Sequence, residues 1–334
     1  MTTTAPTRHS PKDYASDQEI RWCPGCGDYA IIKGVQKALA ELGADTAQTV
    51  FVSGIGCAAR FPYYMNTYGF HTIHGRAPAL ATGVKLANPD LDVWVISGDG
   101  DALSIGGNHL LHLLRRNVDL QFLLFNNEIY GLTKGQYSPT SKRGTRSPST
   151  PQGSVDTPVS ACQVALGAGA RFVARAIDIQ TPRLVEALKR AKAHAGTSFV
   201  EIFQNCVVFN DGAFAHFTAK DVAPDKQLHV EHGKPLVWGK NGEYGLRLNP
   251  KTLHLEAGPA GDDVLVHDET NRMLAQMLVS LEPPEFPVAM GVIYCAPAES
   301  TYERDVHAQI AAAGDQTDDL AGLLAGGQTW EVAG

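Results

Sequence analysis

The sequence predicts an α/β fold, a doubly wound, mostly parallel sheet with helices on both faces. Three observations carry that expectation. The strand-like runs at residues 92–96 and 120–125 are apolar almost without a break, as strands buried on both faces are. Helix-like segments alternate with such runs from Trp22 to about Val207. Both runs end in turn residues, Ser97-Gly98-Asp99-Gly100-Asp101 and Asn126-Asn127. Those turns fall at the carboxyl ends of parallel strands, where open α/β sheets bind ligands.

In chain order, residues 1–20 are polar and unpatterned and read as an N-terminal arm, ordered by a partner. Residues 49–53 are a short β-branched strand ending in glycine, and residues 77–86 are helical in composition. Strand 92–96 follows, then residues 103–115 with apolar side chains at helical spacing, then strand 120–125. Residues 184–195 read as a helix and 198–203 as a strand, so one ligand-binding domain is expected over residues 21–217. After it the pattern changes. Residues 236–248 read as two strands about Asn241-Gly242, a hairpin signal. Residues 264–281 contain a helix ended by Glu282-Pro283-Pro284, and the last thirty or so are Ala/Gly/Asp-rich. Residues 218–334 therefore read as a C-terminal extension, an elaboration of the first domain.

The chain has 334 residues and a net charge of −7, with −6 of it carried from Glu299 onward. The near-neutral remainder argues against broad nucleic-acid binding. No apolar run approaches the roughly 18 residues of a membrane span. No apolar stretch follows Met-Thr-Thr-Thr-Ala-Pro, so no secretory signal is expected and the location is expected to be cytoplasmic. The six cysteines are then not expected to form structural disulfides.

Gly-Asp-Gly alone is a common turn. The joint pattern is more specific: Gly98-Asp99-Gly100, then 25 residues, then Asn126-Asn127, each after an apolar strand. Glycines let a backbone approach a phosphate closely, and an aspartate with an asparagine oxygen suits Mg²⁺. The spacing resembles the thiamine-diphosphate motif of the thiamine enzymes. That resemblance implies Asp99, Asn127 and the Ile129 backbone carbonyl on Mg²⁺. It also implies Gly100, Asp101, Gly131 and Leu132 on the diphosphate, with Gly98 and Thr133 beside them.

Cys23-Pro24-Gly25-Cys26 is compatible with a zinc half-site or a redox dithiol. Its upstream residues make a poor strand, unlike a thioredoxin-type pair. Cys57 and Cys206 each follow a strand on the sheet edge expected to bind thiamine. Cys162, in an Ala/Val-rich helix, and Cys295, in a late apolar run, read as packing residues. Four thiolates at Cys23, Cys26, Cys57 and Cys206 suit a [4Fe–4S] cluster, and composition does not separate this from Zn-Cys₄. A cluster beside thiamine suits electrons that leave one at a time.

Taken with Trp22-Cys23-Pro24-Gly25-Cys26-Gly27, Gly54-Ile55-Gly56-Cys57, His71-Thr72-Ile73-His74-Gly75-Arg76-Ala77 and Asn126-Asn127-Glu128-Ile129-Tyr130-Gly131-Leu132-Thr133, the sequence resembles the beta subunit of the 2-oxoacid:ferredoxin oxidoreductases. The resemblance covers residues 20–217. It implies one [4Fe–4S] cluster on Cys23, Cys26, Cys57 and Cys206. It places the turn Ile55, Gly56, Cys57 and Ala58, with His74 and Gly75, around the thiamine. Such enzymes oxidatively decarboxylate a 2-oxoacid with coenzyme A as cosubstrate, giving an acyl-CoA, CO₂ and reduced ferredoxin, and some run in reverse. The long C-terminal region and the basic residue after the third cysteine look most like the 2-oxoglutarate type. In thiamine enzymes of similar design the activating glutamate belongs to a second α/β domain; this chain reads as the diphosphate-binding domain, so an alpha subunit is expected to supply the glutamate, in an α2β2 assembly.

Three residues are candidates for the chemistry. Arg60, three residues after Cys57, could grip a carboxylate bidentately, or could be a solvated surface arginine. Lys134, nearest the cofactor turn, heads a basic segment with Lys142, Arg143 and Arg146 that could attract an anionic substrate or be a plain solvated loop. His74 is favoured over His71, which also suits a packing role. The competing readings are a pyruvate or broad-specificity 2-oxoacid enzyme, a non-redox thiamine decarboxylase subunit with structural zinc, and a non-catalytic binding module.

Overall fold

The computed structural model describes residues 9–314, 320–327 and 330–332. Its centre is an eight-stranded sheet. The strands are β1 (Thr49–Ser53), β2 (Tyr68–His71), β3 (Asp92–Gly98), β4 (Gln121–Asn126), β7 (Phe172–Ile177), β8 (Ser198–Phe203), β9 (Gln227–Val230) and β13 (Val288–Cys295), in the order β2-β1-β3-β4-β8-β7-β13-β9. The six from β2 to β7 are parallel, and β13 joins β7 antiparallel. Outside the sheet lie a two-stranded ladder, β5 (Ile129–Tyr130) with β6 (Gln136–Tyr137), and a three-stranded one, β10 (Val237–Trp238), β11 (Tyr244–Leu248) and β12 (Leu255–Pro259).

The unbroken apolar runs are explained by two-sided burial. Val50, Val52, Val93, Val95, Phe122 and Leu124 face one apolar cluster, with side chains of α2 (Ala77–Ala87) and α4 (Gly107–Arg116). Phe51, Trp94, Ile96, Leu123 and Phe125 face the other, with α1 (Asp28–Leu42) and α5 (Thr181–Ala193). The sheet is thus doubly wound, as predicted.

The structure departs from the sequence reading in four places. Residues 9–20 are not a free arm: Tyr14 is fully buried, its hydroxyl donates to Ala44 O at 2.5 Å, and Ala15 pairs with Met65. Residues 1–8 of that arm lie outside the described residues. The helix expected over 103–115 is two elements, one turn at α3 (Asp99–Leu103) and then α4, broken at Gly106. A Cβ on Gly106 would lie 2.4 Å from Asp101 O, so a side chain cannot be accommodated there. The segment from residue 218 onward contributes β9 and β13 to the main sheet, together with the expected Asn241-Gly242 hairpin and a helix over Arg272–Val279. The weakly patterned end contains a further helix, Tyr302–Ala312, and part of the acidic tail, residues 315–319, lies outside the described residues.

Candidate active site

Four adjacent strands, β1, β3, β4 and β8, deliver their carboxyl ends side by side. The loops leaving them carry Gly54 to Cys57, Asp99 to Asp101, Asn127, and Gln204 to Cys206. Parallel register therefore gathers residues that are up to about 150 positions apart in the chain.

One cavity of about 220 Å³ is lined by Ile55, Gly56, Cys57, Ala58, His74, Gly98, Asp99, Gly100, Asp101, Asn127, Ile129, Gly131, Leu132 and Thr133, with Phe125 and Tyr130. The expected cofactor residues thus converge on one space, except Gly75, which touches it through a neighbour. Asp99 is 2 % exposed, and burial raises its pKa against the opposing hydrogen bonds from Ser138 and Thr140. Ser138 Oγ and Thr140 Oγ1 each donate to Asp99 Oδ2 at 2.5 Å. The backbone N–H of Gly100 is a further donor to this carboxylate. Asn127 Oδ1 accepts the Ile129 N–H at 3.2 Å, and its Nδ2 donates to Gln204 Oε1 at 2.7 Å. An acid, an amide oxygen and a backbone carbonyl at a phosphate-sized turn form a donor set that fits Mg²⁺ with a diphosphate.

Asp101 lines the cavity with the other expected residues, and its side chain has partners of its own there. Its carboxylate faces protein donors: Ile55 N–H at 3.1 Å, Gly75 N–H at 2.7 Å, His74 Nδ1 at 2.7 Å and Ser97 Oγ at 2.5 Å. These bonds tie the loops after β1, β2 and β3 to one another. A Cβ on Gly54 would fall 1.8 Å from Asp101 Oδ2, so only glycine leaves room for that carboxylate. Because a carboxylate accepts, His74 carries a proton on Nδ1 in this pair.

A second cavity, about 190 Å³, is lined by all four predicted cysteines, Cys23, Cys26, Cys57 and Cys206. It shares Cys57, Asn127, Gly131 and Leu132 with the first cavity. A Cβ on Gly131 would stand 3.5 Å from the Cys57 sulfur and 3.6 Å from that of Cys206, so the glycine marks the partition. Burial, followed by the charge of Asp28, pushes the Cys57 thiol up to about 11 and raises Cys26 as well. Among the described residues no three His, Cys, Asp or Glu side chains converge as single-ion ligands do. Four thiols around one cavity are the donor set of a [4Fe–4S] cluster and equally of Zn-Cys₄. Cys162, fully buried against Glu201, and Cys295, at the end of β13, lie outside this cavity.

Arg60 lines the cysteine cavity and an adjoining one of about 500 Å³ with Arg21, Tyr63, Tyr64 and His71. Lys134 is exposed and lies outside the linings of these three cavities. Lys142, Arg143 and Arg146 are exposed too, and the same segment reaches the site through the buried hydroxyls of Ser138, Thr140 and Ser141 instead. Sequence reasoning missed Ser138, Thr140 and Gln204. The run Ser138-Pro139-Thr140-Ser141, a hydroxyl cluster close after the cofactor turn, was the available signal for the first two.

Residues 53–202 match the family model described as the thiamine pyrophosphate enzyme C-terminal TPP binding domain. A 2-oxoglutarate oxidoreductase subunit KorB from Mycobacterium tuberculosis is 48% identical, over 98% of this chain and 90% of its own. A 2-oxoacid:ferredoxin oxidoreductase 1 subunit beta from Aeropyrum pernix is 50% identical over 61% of this chain and 64% of its own length. Among solved structures, 2-oxoglutarate:ferredoxin oxidoreductase from Magnetococcus marinus, with 2-oxoglutarate, coenzyme A and succinyl-CoA bound, superposes with a TM-score of 0.77. It is 33% identical and the match covers 97% of both chains. On that likeness, which runs nearly end to end and includes the cofactor-binding domain, the chain belongs to the beta subunits of the 2-oxoacid:ferredoxin oxidoreductases.

Proposed function

We propose that this chain is the beta subunit of a coenzyme A-dependent 2-oxoglutarate:ferredoxin oxidoreductase. The reaction would convert 2-oxoglutarate, coenzyme A and two oxidised ferredoxins to succinyl-CoA, CO₂, a proton and two reduced ferredoxins. The observation that carries the reading is the shared wall between the two cavities. A cradle of thiamine-diphosphate type and a ring of four thiols meet at Cys57, Asn127, Gly131 and Leu132.

Asp99, Asn127 and the Ile129 carbonyl would hold Mg²⁺, and the turns at Gly98 to Asp101 and Gly131 to Thr133 would hold the diphosphate. Cys23, Cys26, Cys57 and Cys206 would hold a [4Fe–4S] cluster. Thiamine diphosphate supplies the electron sink for loss of CO₂, and the cluster supplies a one-electron acceptor. The chain's own side chains do the rest. His74 Nε2 gives or takes a proton at the cavity. Arg60 presents a guanidinium to an anionic group at the cavity mouth, and Lys134 adds positive charge outside it. The alpha subunit, expected in an α2β2 assembly in the cytoplasm, would complete the cofactor and coenzyme A sites. Ferredoxin would collect the electrons.

The name of the Mycobacterium relative and the ligands named for the Magnetococcus structure support 2-oxoglutarate as the substrate. The name of the Aeropyrum relative leaves a broader 2-oxoacid range as the second reading. The deciding experiment is iron, sulfide and zinc content of anaerobically purified protein, followed by assay of the αβ complex with 2-oxoglutarate and with pyruvate. About four irons and four sulfides per chain with a 2-oxoglutarate preference are expected. One zinc and no sulfide would favour the non-redox decarboxylase.

A further inference from the structure

Gln204 stands on the loop after β8 and is 1 % exposed. Its Oε1 accepts Asn127 Nδ2–H at 2.7 Å. Its Nε2 donates to Asn205 O at 2.6 Å and lies 3.4 Å from Cys26 Sγ. One buried amide therefore touches a candidate metal ligand of the first cavity and a candidate cluster ligand of the second.

The direction of this relay is set by the backbone. The Ile129 N–H donates to Asn127 Oδ1, so Asn127 must turn its NH₂ outward. That NH₂ needs an acceptor, which makes the near atom of Gln204 its oxygen. The far atom is then the NH₂. A reversed amide would set two oxygens against each other at Asn205 O, and one against the Cys26 sulfur. Buried polar groups left so mismatched are costly. The orientation that satisfies every partner is the one that points N–H at sulfur.

We propose that Gln204 is a positioning residue that serves both centres, fixing Asn127 at one end and hydrogen-bonding the Cys26 sulfur at the other. The inference rests on the cluster reading given under Proposed function. Hydrogen bonds to cluster sulfurs are one of the terms that set reduction potential. A reduced cluster carries more negative charge on sulfur, so an N–H donor stabilises it more than the oxidised one. Outer partners of metal ligands likewise govern metal affinity.

The test compares wild type, Gln204→Leu and Gln204→Glu, each purified anaerobically as the full chain in the complex in which it is isolated. Two quantities are read: the cluster midpoint potential by EPR-monitored titration, and Mg²⁺-dependent thiamine diphosphate binding by calorimetry. Both variants lose the N–H donor, and both are expected to shift the potential to more negative values. Gln204→Leu also loses the acceptor for Asn127, and its cofactor binding is expected to weaken about tenfold. Gln204→Glu keeps an acceptor oxygen for Asn127 and should lose less cofactor affinity than Gln204→Leu. A Gln204→Leu protein with full iron content and the wild-type potential would overturn the proposal. If Gln204→Leu fails to load iron, an unchanged potential in Gln204→Glu overturns it instead. A wild type with zinc and no sulfide removes the cluster reading itself, a result distinct from either.

Discussion

His74 Nδ1 lies 2.7 Å from Asp101 Oδ1, and the same oxygen accepts the backbone N–H groups of Gly75 and Ile55. A single buried carboxylate thus orients the histidine and holds two loops of the cofactor cavity in register. An amide replaces it poorly. In Asp101→Asn the oxygen can stay toward Ile55, His74 and Gly75 only if the NH₂ faces Ser97, whose hydroxyl must then turn from donating to accepting, and the charge that strengthens all four bonds is lost. Hydrogen bonds to a charged group are worth about 1.5–3 kcal/mol against about 0.5–1.5 kcal/mol for neutral ones, so a loss of about 1–3 kcal/mol is expected. Chemical denaturation should show a stability loss of that size, and calorimetry about tenfold weaker binding of thiamine diphosphate. A variant as stable and as tight-binding as wild type would show that the carboxylate does not tie these loops.

Asp99 is held by its other neighbours. Two hydroxyls meet its Oδ2. Thr140→Val removes one of them with little change of shape. Loss of an outer partner commonly lowers metal affinity 10- to 100-fold, and the same range is expected here. Mn²⁺ binding followed by EPR, with thiamine diphosphate present, measures it. Thr140→Ser restores the hydroxyl and should restore the affinity. Equal affinities in all three proteins would leave Thr140 a packing residue.

These hydroxyls also show where sequence reading ends. The strands were legible because only two-sided burial tolerates runs such as Val93-Trp94-Val95-Ile96, and two-sided burial means a covered parallel sheet. The glycine–aspartate turn, Cys57 and Cys206 were legible because each follows a strand in the chain, and Cys23 and Cys26 because only two residues separate them in one loop. Tyr14 was not, since one buried ring in a polar stretch has no period to reveal it. Ser138 and Thr140 sit in a segment whose charges advertise solvent, and only the tertiary fold turns their hydroxyls onto Asp99. Gln204 is a lone glutamine after a strand. Its role depends on two partners 77 and 178 positions away.

The buried thiols make a pH prediction for the metal-free chain. Burial and the nearby Asp28 push Cys57 up to about 11, against an ordinary thiol near 9. The thiolate is the reactive and metal-binding form, so raising the pKa lowers reactivity at neutral pH. Alkylation of Cys57, followed by peptide mass mapping, should be slow at pH 7 and accelerate about tenfold per unit of pH until about pH 11. Metal loading releases these protons, so reconstitution with iron and sulfide should improve as pH rises. Cys162→Ser and Cys295→Ser should leave iron content unchanged, whereas serine at Cys23, Cys26, Cys57 or Cys206 should lower it. A Cys57 that alkylates fully at pH 7 would contradict the burial argument.

Arg60 offers the sharpest test of substrate choice. It lines the cysteine cavity and the adjoining one that holds Arg21, Tyr63 and His71. Its guanidinium lies 3.4 Å from Arg21 O, a single long contact that leaves most of the fork's donors free. A 2-oxoacid with a second carboxylate can engage that fork, and one without it cannot. Arg60→Gln retains a polar side chain of similar reach but loses the charge. A charge-assisted hydrogen bond to the distal carboxylate is worth about 1.5–3 kcal/mol, so the expected loss in kcat/KM is about 10- to 100-fold for 2-oxoglutarate. Pyruvate, which lacks the distal carboxylate, should be turned over with nearly unchanged kcat/KM. Parallel assays of the αβ complex with both acids, at saturating coenzyme A, separate the two cases. An equal fall for both substrates would place Arg60 in a step common to every 2-oxoacid, and the specificity would then have to come from other residues.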